Sequence, residues 1–208
     1  MEMTAMDTQL EFSPRPDAAV PPGYKWPPQG KWTYDDYCLL PNDGWIYEVI
    51  EGELYMSPAP LTRHQRCKGN LFAAFWNHNQ THDAGMVLDA PTDVILSKRA
   101  APVQPDILFV AKRRRKIVKE ERVEGAPDIV VEILSPWNWI VDRRKKFNVY
   151  AKAGVREYWL VDPEARTIEL FILRKGTFAL VGKYGVGEFV QSQVLRGFKV
   201  KVEDVCPA

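Results

Sequence analysis

Cysteine is scarce in this 208-residue chain: Cys38, Cys67 and Cys206 are far apart and odd in number. They form neither a zinc-ligand spacing nor a disulfide framework, so free thiols in a reducing cytoplasm are the expectation. No run of about 18 consecutive apolar residues exists, so no transmembrane helix is expected. The first 26 residues have no basic start followed by an apolar stretch, so they do not read as a signal peptide. An excess of charge of one sign is also missing. The net charge is +1, so no overall field marks a nucleic-acid or membrane binder, and any such role rests on local clusters. Internal repeats are absent as well. What remains is a chain with 46% hydrophobic residues, long enough to bury a sizeable core in one domain.

Residues 1–31 hold six of the sixteen prolines and show little periodicity. They read as a loosely docked arm ahead of a single domain over 32–208. "TYDDYCLL" predicts a short helix with Thr33 as N-cap and Asp36 at the third helical position, a variant of the capping box. "WIYEVIEGELYMS" predicts a β-hairpin, because two alternating runs flank Glu51-Gly52. From Arg63 to Gln80 the recurrence of Leu71, Phe72, Phe75 and Trp76 predicts an amphipathic helix. One or two strands follow in "GMVLDAPTDVIL" and another in "APVQPDILFVA", and then a charged, exposed connection "KRRRKIVKEERVEGA". "PDIVVEILSP" reads as a buried strand. "NWIVDRRKKFNVYAKAGV" reads as a helix ending at Gly154. "REYWLVDP", "TIELFILR" and "TFALVGKY" read as short strands, with an edge strand in "VLRGFKVKVEDV". This order gives a mixed α/β domain whose sheet holds parallel and antiparallel neighbours.

The strand "PDIVVEILSP" carries Glu132 among Ile129, Val130, Val131, Ile133 and Leu134. A carboxylate there is costly unless something positive meets it. The preceding strand region carries Asp106, also set in an apolar run. Should the two strands pair, the two acids lie side by side, and a divalent metal relieves their repulsion. Asp142, Lys146 and Tyr150 follow at helical spacing along one face. A lysine near such a site can assist a water or stabilise charge on a phosphate. Arg143, Arg144 and Lys145 adjoin the same segment and suit steering of an acidic substrate. The competing reading is a buried Glu132–Lys146 ion pair with Asp106 capping a turn after Pro105.

"YEVIEGELYMSP", "RHQR", "VQPDILFV", "APDIVVEILSP" and "DRRKKFNVYAKAGVREYWLVDP" occur in an order that resembles the Uma-type restriction endonuclease family. That family, once a domain of unknown function, lies in the PD-(D/E)XK nuclease superfamily. The resemblance runs from about Thr33 to Val205. It implies a restriction-endonuclease-like core, a mixed central sheet flanked by helices with an N-terminal β-hairpin. By this resemblance Asp106 and Glu132 are metal ligands for Mg2+ or Mn2+, and the Ile133 backbone carbonyl is a further one. Leu134 stands where the superfamily usually has its lysine, and Lys146 on the following helix takes that role. One of Glu48 and Glu53 is implied to reach the metal through water, and Asp142 and Tyr150 support the site. His64 either touches substrate or caps its helix. Trp137-Asn138 departs from the small polar residues usual after "SP" and bears on loop shape and substrate access. The implied activity is endonucleolytic hydrolysis of DNA, with a homodimer suited to cutting both strands. The alternatives are a non-catalytic nucleic-acid- or protein-binding module that keeps the fold, and a nuclease acting on RNA or within a mobile element.

Other motifs carry less. His78 and His82 share helical spacing, but Asn79 stands where a metalloprotease needs its glutamate. "KRRRK" reads as an exposed loop that can also meet phosphates. Trp159 in "EYWLV" reads as a core aromatic on a strand.

Overall fold

The computed structural model describes residues 20–96, 102–136 and 141–208, without the side chains at 141–143. The first helix, α1 (Tyr34–Cys38), is capped as the sequence predicts. Thr33 accepts from the Asp36 N–H, and the Asp36 carboxylate accepts from Thr33. A hairpin follows, β1 (Ile46–Ile50) and β2 (Glu53–Ser57), in the register Ile46 opposite Ser57. Its turn needs left-handed backbone at Glu51 (φ 51°) and Gly52 (φ 81°), which glycine adopts without steric cost. A side chain at Gly52 would also strike the Gly30 carbonyl. Residues of the segment 20–31 lie against this hairpin. Trp26 stacks on Trp32, and the Gln29 side chain exchanges two hydrogen bonds with the Leu54 main chain.

Helix α2 (Thr62–His82) buries His64, Cys67, Leu71 and Phe75. The predicted apolar stripe is therefore displaced. Trp76 is 45% exposed and stacks with half-buried Phe72 at the rim, because His64 and Cys67 extend the buried row toward the helix start. Next come β3 (Gly85–Asp89), β4 (Val94–Ile95) and β5 (Ile107–Ala111). The charged connection is more ordered than a loop. It forms a 3-10 turn over Lys112–Ile117 and β6 (Val123–Glu124), which pairs with β4. Strand β7 (Ile129–Ile133) is buried throughout. A π-helical turn, Val141–Lys146, runs into α3 (Phe147–Ala153), which ends at left-handed Gly154. The remaining elements are β8 (Glu157–Asp162), β9 (Thr167–Arg174), β10 (Thr177–Tyr184), β11 (Phe189–Gln191), β12 (Lys199–Lys201) and α4 (Val202–Val205). The closing edge strand is β12. It pairs with β11 in a small separate sheet and leads directly into α4.

The central sheet has the order β10-β9-β8-β7-β5-β3. Its neighbours are antiparallel except β7 and β8, which are parallel and joined through α3. Alternation along the strands separates two cores. Ile129, Val131 and Ile133 of β7 pack with Leu71 and Phe75 of α2. Val130 packs with Tyr150 and Ala151 of α3 and with Tyr158. Trp159 is fully buried and meets Phe75 edge-on, as its strand position suggests. The fold is a mixed α+β layer structure with a central mixed sheet and helices on both faces. Among the described residues no helix is long and apolar enough to cross a membrane.

Candidate active site

Strands β5 and β7 set the geometry. Their antiparallel register places Ile107 opposite Val131, and one further step brings Asp106 opposite Glu132. Alternation turns Glu132 toward the face that holds Val130, while Asp106 stands just before β5 and meets His64 of α2. Asp106 closes the ladder with its side chain. Its Oδ2 accepts from the Ile133 N–H at 2.8 Å and lies 3.3 Å from His64 Nε2. Both acids line one cleft of about 260 Å³, which also touches Glu48, His64, Lys68 and Lys146.

Glu132 is 2% exposed, and its oxygens are held from the π-helical turn and α3. The Tyr150 hydroxyl donates to Oε1 at 2.6 Å, and Lys146 Nζ lies 3.2 Å from Oε2. The i, i+4 spacing of Lys146 and Tyr150 lets one helix face deliver both groups. Burial holds the Tyr150 hydroxyl far above its ordinary pKa, and the Glu132 charge adds to this. It is therefore a permanent donor. Lys146 Nζ also meets Glu48 Oε2 at 2.9 Å, and Glu48 Oε1 accepts from the Gln104 N–H at 3.0 Å. The Gln104 amide in turn donates to Tyr37 and Asp93, so the hairpin glutamate is positioned by a chain of polar contacts.

Glu48 and Glu53 part company here. Glu48 enters the cleft. Glu53 forms an ion pair with Lys145, which also reaches the Tyr55 hydroxyl and ring. The Lys145 ammonium and the Tyr55 hydroxyl hold the Glu53 carboxyl below its ordinary pKa. Lys145 is thus engaged by the hairpin, whereas Arg144 is exposed. The side chains of Asp142 and Arg143, and residues Trp137-Asn138, lie outside the described residues. His64 is 6% exposed, and its Nδ1 has no hydrogen-bond partner among the described residues. Burial opposes its charged form, yet the Asp106 carboxylate keeps the imidazole above its ordinary pKa.

Two cleft residues escape a sequence reading. Lys68, one turn beyond His64 on α2, is held by the Ala90 carbonyl at 2.8 Å and Asp89 at 3.2 Å. Gln104 precedes the Pro105-Asp106 pair and secures Glu48. The spacing to His64 hints at Lys68, while nothing local hints at Gln104.

The donor set fits a hard divalent cation. Three carboxylates, Glu48, Asp106 and Glu132, face the cleft. The Asp106 side chain is only 16% exposed, yet its Oδ1 accepts no hydrogen bond among the described residues. No group of three or more His, Cys, Asp and Glu side chains forms a ready metal cage among them. A site built from Asp106, Glu132 and the Ile133 carbonyl offers oxygen only. This suits magnesium or manganese, which retain waters, better than zinc.

Comparison with known proteins gives the family and the fold. A family model described as "Putative restriction endonuclease", Uma2, matches residues 33–203. The chain belongs to the Uma2 family. The Uma2 match starts at the capping residue of α1 and ends within α4, so it takes in every cleft residue named above. The fold of this Uma2-family protein is similar to a crystal structure described as a "putative nuclease belonging to DUF820" from Anabaena variabilis. The TM-score is 0.67 at 19% identity, covering 84% of this chain and 97% of the other. No curated protein sequence matches.

Proposed function

We propose that this Uma2-family protein is an endonuclease that hydrolyses DNA phosphodiester bonds with magnesium or manganese. Asp106, Glu132 and the Ile133 carbonyl would hold the cation, and Lys146 would assist the reaction. The observation that carries this reading is the convergence of Asp106, Glu132 and Lys146, from two strands and a helix, on one cleft.

A divalent cation supplies Lewis-acid polarisation of the phosphoryl group and acidification of water. The protein residues account for the rest. Glu132 is fixed by Tyr150 and Lys146, so its carboxylate cannot swing away from the cleft. Lys146 is clamped between Glu48 and Glu132, which places its ammonium at the cleft wall without solvent screening. There it can orient a water and offset the negative charge that grows on a phosphate during in-line attack. Asp106 is held by the Ile133 N–H through Oδ2, and its Oδ1 meets no partner among the described residues. Cutting both strands of a duplex favours two such sites, so a homodimer is part of the same proposal.

The test is a cleavage assay on plasmid DNA, single-stranded DNA and RNA, with and without manganese. Cutting of DNA that requires the ion and is absent in Asp106→Ala supports the reading. Binding of nucleic acid without any cutting, under all ions tried, would return the chain to the non-catalytic alternative.

A further inference from the structure

The cleft accounts for only part of the cationic surface. At the other end of β5, one strand length away, a second and more open cleft of about 690 Å³ is walled by Lys112, Arg113, Arg156 and Arg196, with His82 at its edge. No carboxylate among the described residues lines it. Three carboxylates stand just outside. Asp83 pairs with Lys112 and Arg115, fully buried Asp128 pairs with Arg114 and Arg156, and buried Glu157 accepts from the N–H of cleft-lining Val194. Six cations therefore surround three acids, two of them buried. In a chain of net charge +1, this is a strong local excess. Arg113 and Arg196 are exposed and make no ion pair among the described residues. Two guanidinium groups held open in this way suit anionic oxygens, because the planar fork matches phosphate geometry.

Helix α2 links the two clefts. Its first turns carry His64 and Lys68 at the acidic cleft, and its last residue, His82, borders the basic one. From Thr62 to His82 it contains no Asp or Glu, while Arg66, Trp76, Asn77 and Gln80 are exposed along it. Twenty-one residues span about 31 Å. Along β5 the distance from Asp106 to Ala111 is about 17 Å, or about five base pairs of duplex rise. A polynucleotide seated at Asp106 can thus reach the basic cleft over a surface free of acidic helix residues.

We propose that the basic cleft of Lys112, Arg113, Arg156 and Arg196 binds backbone phosphates of nucleic acid flanking the cleavage site. This inference rests on the nuclease reading, but binding and cutting are measured apart. The experiment is fluorescence anisotropy with a 24-base-pair labelled duplex in EDTA, across a salt series. Three proteins are compared: the unaltered chain, R113E/R196E, and R174E/K175E as a control. The control reverses two exposed charges at the β9–β10 turn and matches the change in net charge. R113E/R196E is expected to weaken binding roughly tenfold or more and to lower the slope of log affinity against log salt by about 2, as two lost phosphate contacts require. The control should change affinity less than about twofold, since it removes no contact. Equal losses in both variants, no loss in R113E/R196E, or equally effective competition by polyglutamate would each overturn the proposal. An unaltered chain that binds DNA through Arg113 and Arg196 but never cuts it with manganese leaves this site standing and removes the nuclease reading. A chain that binds no duplex overturns the basic-cleft site, and the manganese cleavage assay then decides the nuclease reading by itself.

Discussion

The ammonium of Lys146 lies 3.2 Å from the carboxylate of Glu132, and both side chains are at most 4% exposed. The pair is not alone, because Glu48 meets the same ammonium at 2.9 Å. Removing the lysine leaves two buried acids facing each other. Breaking a buried pair in this way costs about 3–5 kcal/mol. Lys146→Ala should therefore lower stability by that order in urea unfolding. If its role is also chemical, turnover at saturating manganese should fall far more than manganese affinity. Unchanged turnover in a folded Lys146→Ala protein counts against a catalytic lysine.

Tyr150 supports the same carboxylate from the other side. Its ring is fully buried, and its hydroxyl donates to Glu132 Oε1 at 2.6 Å. Tyr150→Phe keeps the ring packing against Tyr158 and removes only the donor. Leaving a buried carboxylate oxygen unsatisfied costs about 1–3 kcal/mol. Thermal unfolding should register that loss. Turnover should fall as well, because the carboxylate can then rotate. A variant as stable as the parent would show that water replaces the hydroxyl.

Much of this site is legible because strands obey a strict period. Glu132 sits on the face of Val130, and the apolar runs around Asp106 and Glu132 mark both as strand-borne. Antiparallel pairing then brings them opposite each other. The Glu51-Gly52 turn and the Thr33–Asp36 cap are equally local, since backbone sterics and one reciprocal hydrogen bond decide them. Other features depend on contacts between distant segments. Which early glutamate enters the cleft is decided by Lys145 and Lys146 pulling on two different hairpin positions, and no local pattern encodes that. The Gln104 link to Glu48, 56 residues away, is equally hidden. Trp76 misled the helix reading because hydrophobicity alone did not register that His64 and Cys67 occupy the buried row. Fold class was accessible from element order, whereas the split of "KRRRKIVKEERVEGA" into a 3-10 turn and β6 follows from pairing with β4.

Glu157 offers a test of the fold apart from the cleft. It is fully buried and accepts from the Trp159 indole at 2.7 Å, the Ser192 hydroxyl at 2.7 Å, and the N–H groups of Gln193 and Val194 at 2.6 and 2.9 Å. All four partners are donors. Glu157→Gln would turn an NH2 group toward some of them, so the substitution should cost about 1–3 kcal/mol. Hydrogen exchange should show the 192–195 segment opening first. Nuclease turnover at saturating DNA, measured well below the unfolding temperature, should stay near the parent value, because none of these groups lines the acidic cleft, although Val194 lines the basic one.

Glu132→Gln isolates charge from shape. The amide is nearly isosteric, its Oε1 can still accept from Tyr150, and Lys146 keeps its contact with Glu48. The cost is a repulsive approach of the amide NH2 to the ammonium, so stability should fall by about 1–3 kcal/mol and the fold should persist. The lost negative charge removes one of only two side-chain donors proposed for the cation. Manganese binding by calorimetry should therefore weaken at least tenfold, a loss of about 1.4 kcal/mol, and cleavage should disappear at any manganese concentration that leaves the parent active. Chelation of the parent with EDTA should give the same silence, reversed on adding excess manganese. A folded Glu132→Gln protein that cuts DNA at the parent rate would place the chemistry elsewhere on the molecule. Glu48 and Glu132 would then form a structural ion cluster around Lys146.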